Sequence, residues 1–393
     1  MGIRRSALIV ALIAASLGWP GQAYAAGPNA FVSGNLIRYI ADPGKANNLV
    51  ITLTAAGYTF DDVVTVAAGA GCVQGANSTI AVCQVTGITR ITVESGDLDD
   101  YVDNYTSVFF TAYLGNGNDT ALGFGADDRL WGQAGNDYLS GFGGNDLIVG
   151  GPGTDQMYGG SGTLDTVSYI DSPVGVGVDL DGVADDGAVG ENDFIALDFE
   201  VLKGSDFADW LIGGPGSDQI YGFGGGDILS GADGDDYLYG DGEQGPIGGD
   251  YFFGGGGVDY ASYSDHRADQ AVVADNDGVT GDDGAAGEGD TIATDVENLG
   301  GSPGNDWLVG NGVRNQINGG DGGDIIVGYG GDDNLFGEGG NDYVFGGDGN
   351  DFITGEAGDD SLYGENNSDT LHGGAGTDTC DVGPGGTTTI QCP

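Results

Sequence analysis

A repeat of nine residues constrains this chain more than any other feature of its sequence. Between Gly301 and Asp381 nine units follow one another without a slip, for example GGDGGDIIV (319–327) and GYGGDDNLF (328–336). Position six of each unit is an aspartate or asparagine, and position eight is apolar. A Gly/Asp tract of low complexity does not keep an acid and an apolar residue in phase over this length, so the sequence predicts a repeat architecture.

The same phase occurs in two further stretches, at 114–158 and 204–239, and it resumes after a five-residue insertion. We predict that the position-six aspartates of all three stretches are metal ligands. They are Asp119, Asp128, Asp137, Asp146, Asp155, Asp209, Asp218, Asp227, Asp236, Asp250, Asp259, Asp306, Asp324, Asp333, Asp342, Asp351, Asp360, Asp369 and Asp378. Asn315 departs from the pattern, and a neutral ligand there predicts a weaker site.

The consensus G-G-x-G-x-D-x-U-x, in which U is apolar, resembles the calcium-binding nonapeptide of the RTX (repeats-in-toxin) family, and the resemblance covers roughly residues 95–381. It implies an all-β fold, a parallel β-roll or β-helix solenoid in which two nonapeptides form one coil. It also implies that each Ca²⁺ is shared between turns two repeats apart, with carboxylates from the aspartates and carbonyls from the turns. On this basis the whole chain holds about a dozen ions or more.

The spacing has a physical reason that is independent of the family. The x-U-x triplet reads as a short strand with its central side chain inward, and glycine lets the remaining residues turn sharply. Equivalent aspartates on stacked coils then lie about 4.8 Å apart, where bare carboxylates repel by about 1–3.5 kcal/mol. Calcium accepts six to eight oxygen ligands and suits such a gap better than magnesium does. The alternative, that the aspartates only cap turns, does not explain why period and phase are kept together.

The charge balance agrees with a cation-binding interpretation. The chain has 61 acidic and 9 basic residues, a formal net charge of −52. Nucleic acid is excluded as a partner, since phosphate binding needs clustered Lys and Arg. Acidity alone fits either solubility through self-repulsion or cation binding, and the regular positions of the acids favour cation binding.

Residues 1–25 read as a signal peptide, with Arg4 and Arg5 before an apolar stretch and Ala23-Tyr24-Ala25 as the cleavage motif. The apolar run is too short for a transmembrane segment, so we predict a secreted, extracellular protein; attachment to a cell surface stays open. In an oxidising compartment, the four cysteines are expected to form two local disulfides, Cys72–Cys83 and Cys380–Cys392. Zinc is the weaker alternative, because the sequence has no C-x-x-C pair.

The repeats divide the chain into segments. The N-terminal region contains strand-like runs at 49–53, 62–67 and 89–94, and we expect it to cap the solenoid. Two linking segments resemble each other at an offset of about 97 residues, which indicates a larger duplicated unit. The predicted segments are a signal peptide (1–25), a β-rich N-terminal capping region (26–113), repeat block 1 (114–167), a linking segment (168–203), repeat block 2 (204–262), a linking segment (263–300), repeat block 3 (301–381) and a C-terminal cap (382–393).

The sequence shows no H-E-x-x-H, G-x-S-x-G or P-loop motif, and we predict that the chain is not an enzyme. The acidic segment 275–290 does not fit an EF-hand, since Thr280 stands where the loop requires glycine. We therefore predict an extracellular calcium-binding RTX repeat protein that folds on binding many Ca²⁺ ions. The alternatives are an adhesin or toxin-like effector that uses the solenoid as a stalk, with an unknown cell-surface or glycan partner, and, less favoured, a secreted hydrolase or epimerase.

Overall fold

The computed structural model describes residues 28–84, 86–241, 248–383 and 389–392, and among them there is no helix. The predicted signal peptide and its cleavage point lie outside the described residues. The fold is all-β with mostly parallel strands, as the repeat predicts. The described residues form two compact units, which divide between Gln156 and Met157.

The described part of the first unit contains fourteen complete strands. They are β1 (Asn29–Ser33), β2 (Leu36–Ile40), β3 (Asn48–Thr54), β4 (Gly57–Asp61), β5 (Ala67–Ala68), β6 (Cys72–Gln74), β7 (Ile80–Cys83), β8 (Arg90–Asp97), β9 (Tyr101–Asn104), β10 (Phe109–Asn116), β11 (Thr120–Leu122), β12 (Arg129–Ala134), β13 (Tyr138–Gly143) and β14 (Leu147–Val149). Strands β2, β8, β10, β12 and β14 form one parallel stack, and β3, β9, β11 and β13 form the other. Parallel coils therefore already include β8 and β9, before the first predicted repeat block.

The N-terminal part of the first unit adds antiparallel pairs to these stacks. Strand β4 pairs with both β3 and β7, and β6 pairs with β7, where the Cys72–Cys83 disulfide joins the two strands. The strand predictions at 49–53 and 89–94 are confirmed by β3 and β8. The prediction at 62–67 is wrong, since only Ala67 of that run belongs to a strand, and the buried Asp62 at its start accepts hydrogen bonds from the backbone of Asn48 and Val63.

The second unit begins within β15 and continues to the end of the described chain. Its strands are β15 (Gln156–Ser161), β16 (Thr166–Ser168), β17 (Val176–Asp179), β18 (Ala184–Ala188), β19 (Asp193–Ile195), β20 (Val201–Lys203), β21 (Trp210–Ile212), β22 (Gln219–Phe223), β23 (Ile228–Asp233), β24 (Tyr237–Asp241), β25 (Tyr251–Gly256), β26 (Tyr260–Ser262), β27 (Val272–Asp275), β28 (Gly284–Ala285), β29 (Thr291–Ile292), β30 (Asn298–Gly300), β31 (Trp307–Val309), β32 (Gln316–Asp321), β33 (Ile325–Gly330), β34 (Asn334–Gly339), β35 (Tyr343–Asp348), β36 (Phe352–Ala357), β37 (Ser361–Asn366), β38 (Thr370–Ala375), β39 (Thr379–Asp381) and β40 (Thr389–Gln391).

Within the second unit the repeats stack as parallel coils of two nonapeptides each. The even-numbered strands β30 to β40 pair in sequence on one side, and the odd-numbered strands β31 to β39 pair on the other. The register joins residues 18 apart, as in Ile326 and Val344. Position eight of the nonapeptide is therefore always inward, and its residues from Leu308 to Leu371 have no exposed surface.

Most strands in the repeats are longer than the predicted three residues. Strand β33, for example, runs over six residues, from position seven of one unit through position three of the next. The extension is possible because position two adopts a positive φ while the parallel pairing continues beyond it, as at Tyr329 (φ 69°), which pairs with Gly347. The turn proper is limited to positions four to six.

The two predicted linking segments are excursions from the stacked coils. In each, one strand pairs in parallel with a later strand of the stack, β17 with β21 and β27 with β31, and has a short antiparallel partner, β18 or β28. We define the first excursion as residues 166–199 and the second as residues 260–296. Their equivalent pairings support the duplication that the sequence indicates.

Cys380 and Cys392 form the second disulfide, so both predicted cysteine pairs are present. No helix in the described part of the chain has the length and apolarity needed to cross a membrane.

Candidate calcium sites

The predicted ligand aspartates lie at equivalent places in the turns that follow the stacked strands. All of them have at most 4% of their surface exposed except Asp378, which is half-buried in the last repeat. Burial of so many carboxylates is unusual, because an isolated buried charge is strongly unfavourable unless it is paired or bound to a metal.

In the regular repeats, one oxygen of the position-six aspartate accepts a hydrogen bond from a backbone N–H of the preceding coil. The N–H of Asp306 donates to Asp324 Oδ1 at 2.8 Å, that of Asp324 to Asp342 Oδ1 at 2.9 Å, and that of Asp342 to Asp360 Oδ1 at 3.0 Å. We call these chains of hydrogen bonds, which step 18 residues at a time, the aspartate ladders. The sequence did not predict them, because they use the backbone N–H of position six as a donor.

In many of these aspartates the second oxygen is buried and has no hydrogen-bond partner. This arrangement recurs in both units and includes Asp100, which precedes the first predicted ligand. The aspartates with such an Oδ2 include Asp100, Asp119, Asp137, Asp227, Asp236, Asp250, Asp259, Asp324, Asp333, Asp342, Asp351, Asp360, Asp369 and Asp378. Buried acceptors are normally satisfied, so oxygens that repeatedly lack a protein partner fit the role of cation ligands.

The first glycine of each repeat shows what these oxygens face. A Cβ on Gly337 would lie 2.4 Å from Asp342 Oδ2 and 3.0 Å from the carbonyl oxygen of Gly355. Gly337 does not have a positive φ, so glycine is needed at position one for space and not for backbone conformation. A carboxylate oxygen and a carbonyl oxygen therefore converge from successive coils, and this is the donor set that calcium prefers.

Some of the described turns are closed differently. The backbone N–H of position two donates to the position-six side chain of the same repeat, which we call a closed turn. The distance is 2.6 Å from Ser205 to Asp209 and from Ser302 to Asp306. The position-six residues of closed turns include Asp128, Asp209, Asp218, Asp306 and Asn315. Each precedes or follows a strand of only three residues, so the closed turns mark places where the six-residue strand pattern is interrupted.

Burial raises the pKa values of these aspartates. Desolvation raises the pKa of Asp324 to about 8 and the pKa of Asp333 to about 7, and the N–H donors of the preceding coil lower both by a smaller amount. Asp250, buried next to Asp290 and Asp227, has its pKa raised to about 9. The protein alone therefore does not stabilise these carboxylates as anions, whereas a divalent cation would.

Several ladder members lie outside the nonapeptides, and sequence reasoning missed them. The N–H of Asp250 donates to Asp290 Oδ1 at 2.9 Å, and Asp290 lies within the second excursion. Glu200 and Glu297 accept from Asp165 and Asp259 in the same way. The one available signal was the match between Glu200 and Glu297 across the duplicated segments.

A family comparison agrees with this geometry. The model of the RTX calcium-binding nonapeptide repeat matches residues 111–139, 131–163, 203–238, 300–335, 309–344, 318–353 and 345–380. The matches overlap to form three stretches, 111–163, 203–238 and 300–380, in which copies of the RTX calcium-binding nonapeptide repeat are found. No curated protein shows significant similarity to this chain.

The two kinds of turn give a direct test of which aspartates matter most. We expect Asp342→Asn to weaken calcium binding by about tenfold or more, because it removes charge from an oxygen that has no other partner. Asp306→Asn should have a smaller effect, since both Asp306 oxygens accept backbone N–H groups and a natural asparagine already occupies the closed turn at Asn315. The measurement is the calcium midpoint of the β-sheet circular-dichroism signal; equal shifts for the two variants would contradict the assignment.

Proposed function

We propose that this chain is an extracellular calcium-binding protein whose β-roll folds when Ca²⁺ ions bind between stacked turns. The position-six aspartates and the glycine carbonyls of successive coils are the proposed ligands, and the chain binds about a dozen ions. The protein has no catalytic role in this proposal.

The observation that carries the proposal is the row of buried carboxylate oxygens without hydrogen-bond partners, from Asp324 to Asp378. Each of these oxygens represents a desolvation cost of about 1–3 kcal/mol, and more when it is charged. Several such costs together exceed the usual net stability of a domain. Calcium supplies the missing interaction, and folding and ion binding become one event.

The predicted signal peptide and the two disulfides support export to an oxidising compartment. Extracellular calcium modules bind at about 10⁻⁴–10⁻³ M, which keeps such a chain unfolded at cytosolic calcium and folded outside the cell.

A calcium titration tests the proposed function. The calcium-free chain at neutral pH is expected to lack most of the β-sheet signal in circular dichroism, and calcium in the millimolar range is expected to restore it with the uptake of about a dozen ions by native mass spectrometry. Magnesium at the same concentration serves as the control and should restore little, since it prefers octahedral sites that retain water. Full β-sheet content without calcium would rule out the proposal.

A second candidate function, a non-catalytic binding module, is favoured by two equivalent apolar ladders. Trp210, Ile228 and Tyr251 are exposed on neighbouring parallel strands β21, β23 and β25. Trp307, Ile325 and Tyr343 repeat the pattern on β31, β33 and β35. Positions seven and nine of these six strands carry no charged residue, although the chain is strongly acidic.

Exposed apolar patches on soluble proteins often mark contact surfaces. The test is retention of the calcium-loaded protein on insoluble polysaccharides and on cells, compared with a variant that carries Trp210→Ser and Trp307→Ser. Equal retention of the two proteins would contradict binding through these exposed apolar residues.

A further inference from the structure

Each of the two excursions starts and ends at the same kind of contact. Asp259 immediately precedes the second excursion, and its N–H donates to Glu297 Oε2 at 2.9 Å where the chain returns. Asp165 and Glu200 make the same hydrogen bond at the first excursion, also at 2.9 Å. In the regular repeats this N–H donates to an aspartate 18 residues later, so each glutamate occupies the position of a ladder aspartate.

The space beside Asp259 also keeps the geometry of a regular turn. Asp259 is fully buried, and its Oδ2 has no hydrogen-bond partner. A Cβ on Gly254 would lie 2.4 Å from this Oδ2 and 2.3 Å from the carbonyl oxygen of Asp295. In a regular repeat, the carbonyl oxygen that lies beside the aspartate Oδ2 is that of the position-one glycine of the next coil, as at Gly355. The carbonyl of Asp295 therefore replaces that glycine carbonyl.

The side chain of Asp295 fixes the returning chain in this position. Its carboxylate accepts the N–H groups of Gly254 and Gly255 at 3.3 and 3.2 Å. Asp198 accepts the N–H groups of Gly159 and Gly160 in the same way at the first excursion. Among the described residues, no ion pair with a lysine, arginine or histidine involves Asp259, Asp295 or Glu297.

We infer that a calcium ion binds at the base of the second excursion, with Asp259 Oδ2 from the last nonapeptide before it and, from outside the repeats, the Asp295 carbonyl and the Glu297 carboxylate among its ligands. This inference rests on the proposed calcium-binding function. The ligand set consists of hard oxygen donors with two negative charges, and it contains a buried carboxylate oxygen that lacks a protein partner. Asp165, Asp198 and Glu200 form the equivalent site at the first excursion.

Such a site joins two points of the chain that are 38 residues apart, whereas ions in the regular repeats join turns 18 residues apart. Ion binding at Asp259 and Glu297 closes the second excursion into a loop, so the order of the whole excursion depends on calcium. Arg267 is the one lysine or arginine within residues 260–296, and it is exposed. Trypsin cleavage after Arg267 therefore reports on this loop specifically.

The experiment uses the full-length protein with Glu297→Gln. Native mass spectrometry at saturating calcium is expected to show one bound ion fewer than wild type, and the double variant Glu200→Gln/Glu297→Gln two fewer. At calcium near the folding midpoint, cleavage after Arg267 is expected to become severalfold faster. Glu365→Gln is the matched control, because it removes the same charge from an exposed position in repeat block 3 and should change neither readout.

Glu297→Asp provides a second test if Glu297→Gln does not fold. It keeps a carboxylate of the kind found in the regular ladders and is expected to retain more of the ion and of the protection than Glu297→Gln. Wild-type ion count and protection in Glu297→Gln would overturn the inference, and so would identical losses in the Gln and Asp variants. In either case the proposed function stands if wild type and Glu365→Gln still gain β structure with calcium.

Discussion

Replacing Gly340 by alanine is expected to destabilise the calcium-loaded protein by about 3 kcal/mol or more. Gly340 lies at position four of its repeat with a φ of 136°, a region that side chains other than glycine avoid. Its new Cβ would lie 1.3 Å from the carbonyl oxygen of Gly322 in the preceding coil, so backbone must move. The hydrogen bond from Gly340 N–H to Ala357 would be disturbed as well.

Gly312→Ala is the control for this substitution. Gly312 belongs to the same repeat block, has no positive φ, and a Cβ there would meet no atom within 4 Å. Its effect should stay within about 0.5 kcal/mol. Both variants are compared by urea unfolding at saturating calcium, followed by circular dichroism. An unchanged urea midpoint for Gly340→Ala would show that the turns are not packed against one another as described.

The calcium-free protein is expected to become less stable as the pH rises from about 4 to about 8. Burial raises the pKa of Asp324 to about 8 and the pKa of Asp333 to about 7, above the unfolded value of 3.8. In that window the folded chain without ions holds more protons than the unfolded chain does, so a rise in pH favours unfolding. Acid therefore partly replaces calcium, and the apo-protein at pH 4 should show more β structure than at pH 7.5.

The β-sheet circular-dichroism signal of protein freed of calcium on a chelating resin, recorded from pH 4 to pH 8, provides the measurement. Repetition at high NaCl separates buried from exposed charges, because salt screens exposed repulsion much more effectively. If the pH dependence of stability disappears at high salt, it arises from exposed surface charge and not from the buried aspartate ladders. With calcium present the trend should reverse, since protons compete with the ion for the same carboxylates.

The period and phase of the sequence were sufficient to predict the parallel coils and their core. Positions such as Ile326 and Val344 are buried as expected, since a side chain at the centre of a strand triplet can only point inward in this register. The family resemblance implied shared ions between turns, and the convergence of Asp342 Oδ2 with the Gly355 carbonyl fits that implication.

Other features depend on three-dimensional contacts that have no local signal. The sequence pattern does not show that position two has left-handed backbone at Tyr329, because few residues other than glycine and asparagine adopt it in isolation. It also does not show that Glu297 joins a ladder, because that position is set by how the excursion returns. The closed turn at Asp306 depends on the N–H of Ser302, a backbone group that carries no sequence pattern.

The disulfide between Cys380 and Cys392 restrains the C-terminal end of repeat block 3. It links β39 covalently to the segment that follows β40, and these two strands pair with the last coils of the stack. The ends of a solenoid are normally the first to fray, because a terminal coil has only one neighbour. The N-terminal end of repeat block 3 is not such an end, because β30 pairs with β26 as well as with β32. With the C-terminal coils linked, we expect that calcium withdrawal does not begin by fraying of the last coils. Refolding can then start from a terminus that never fully separated.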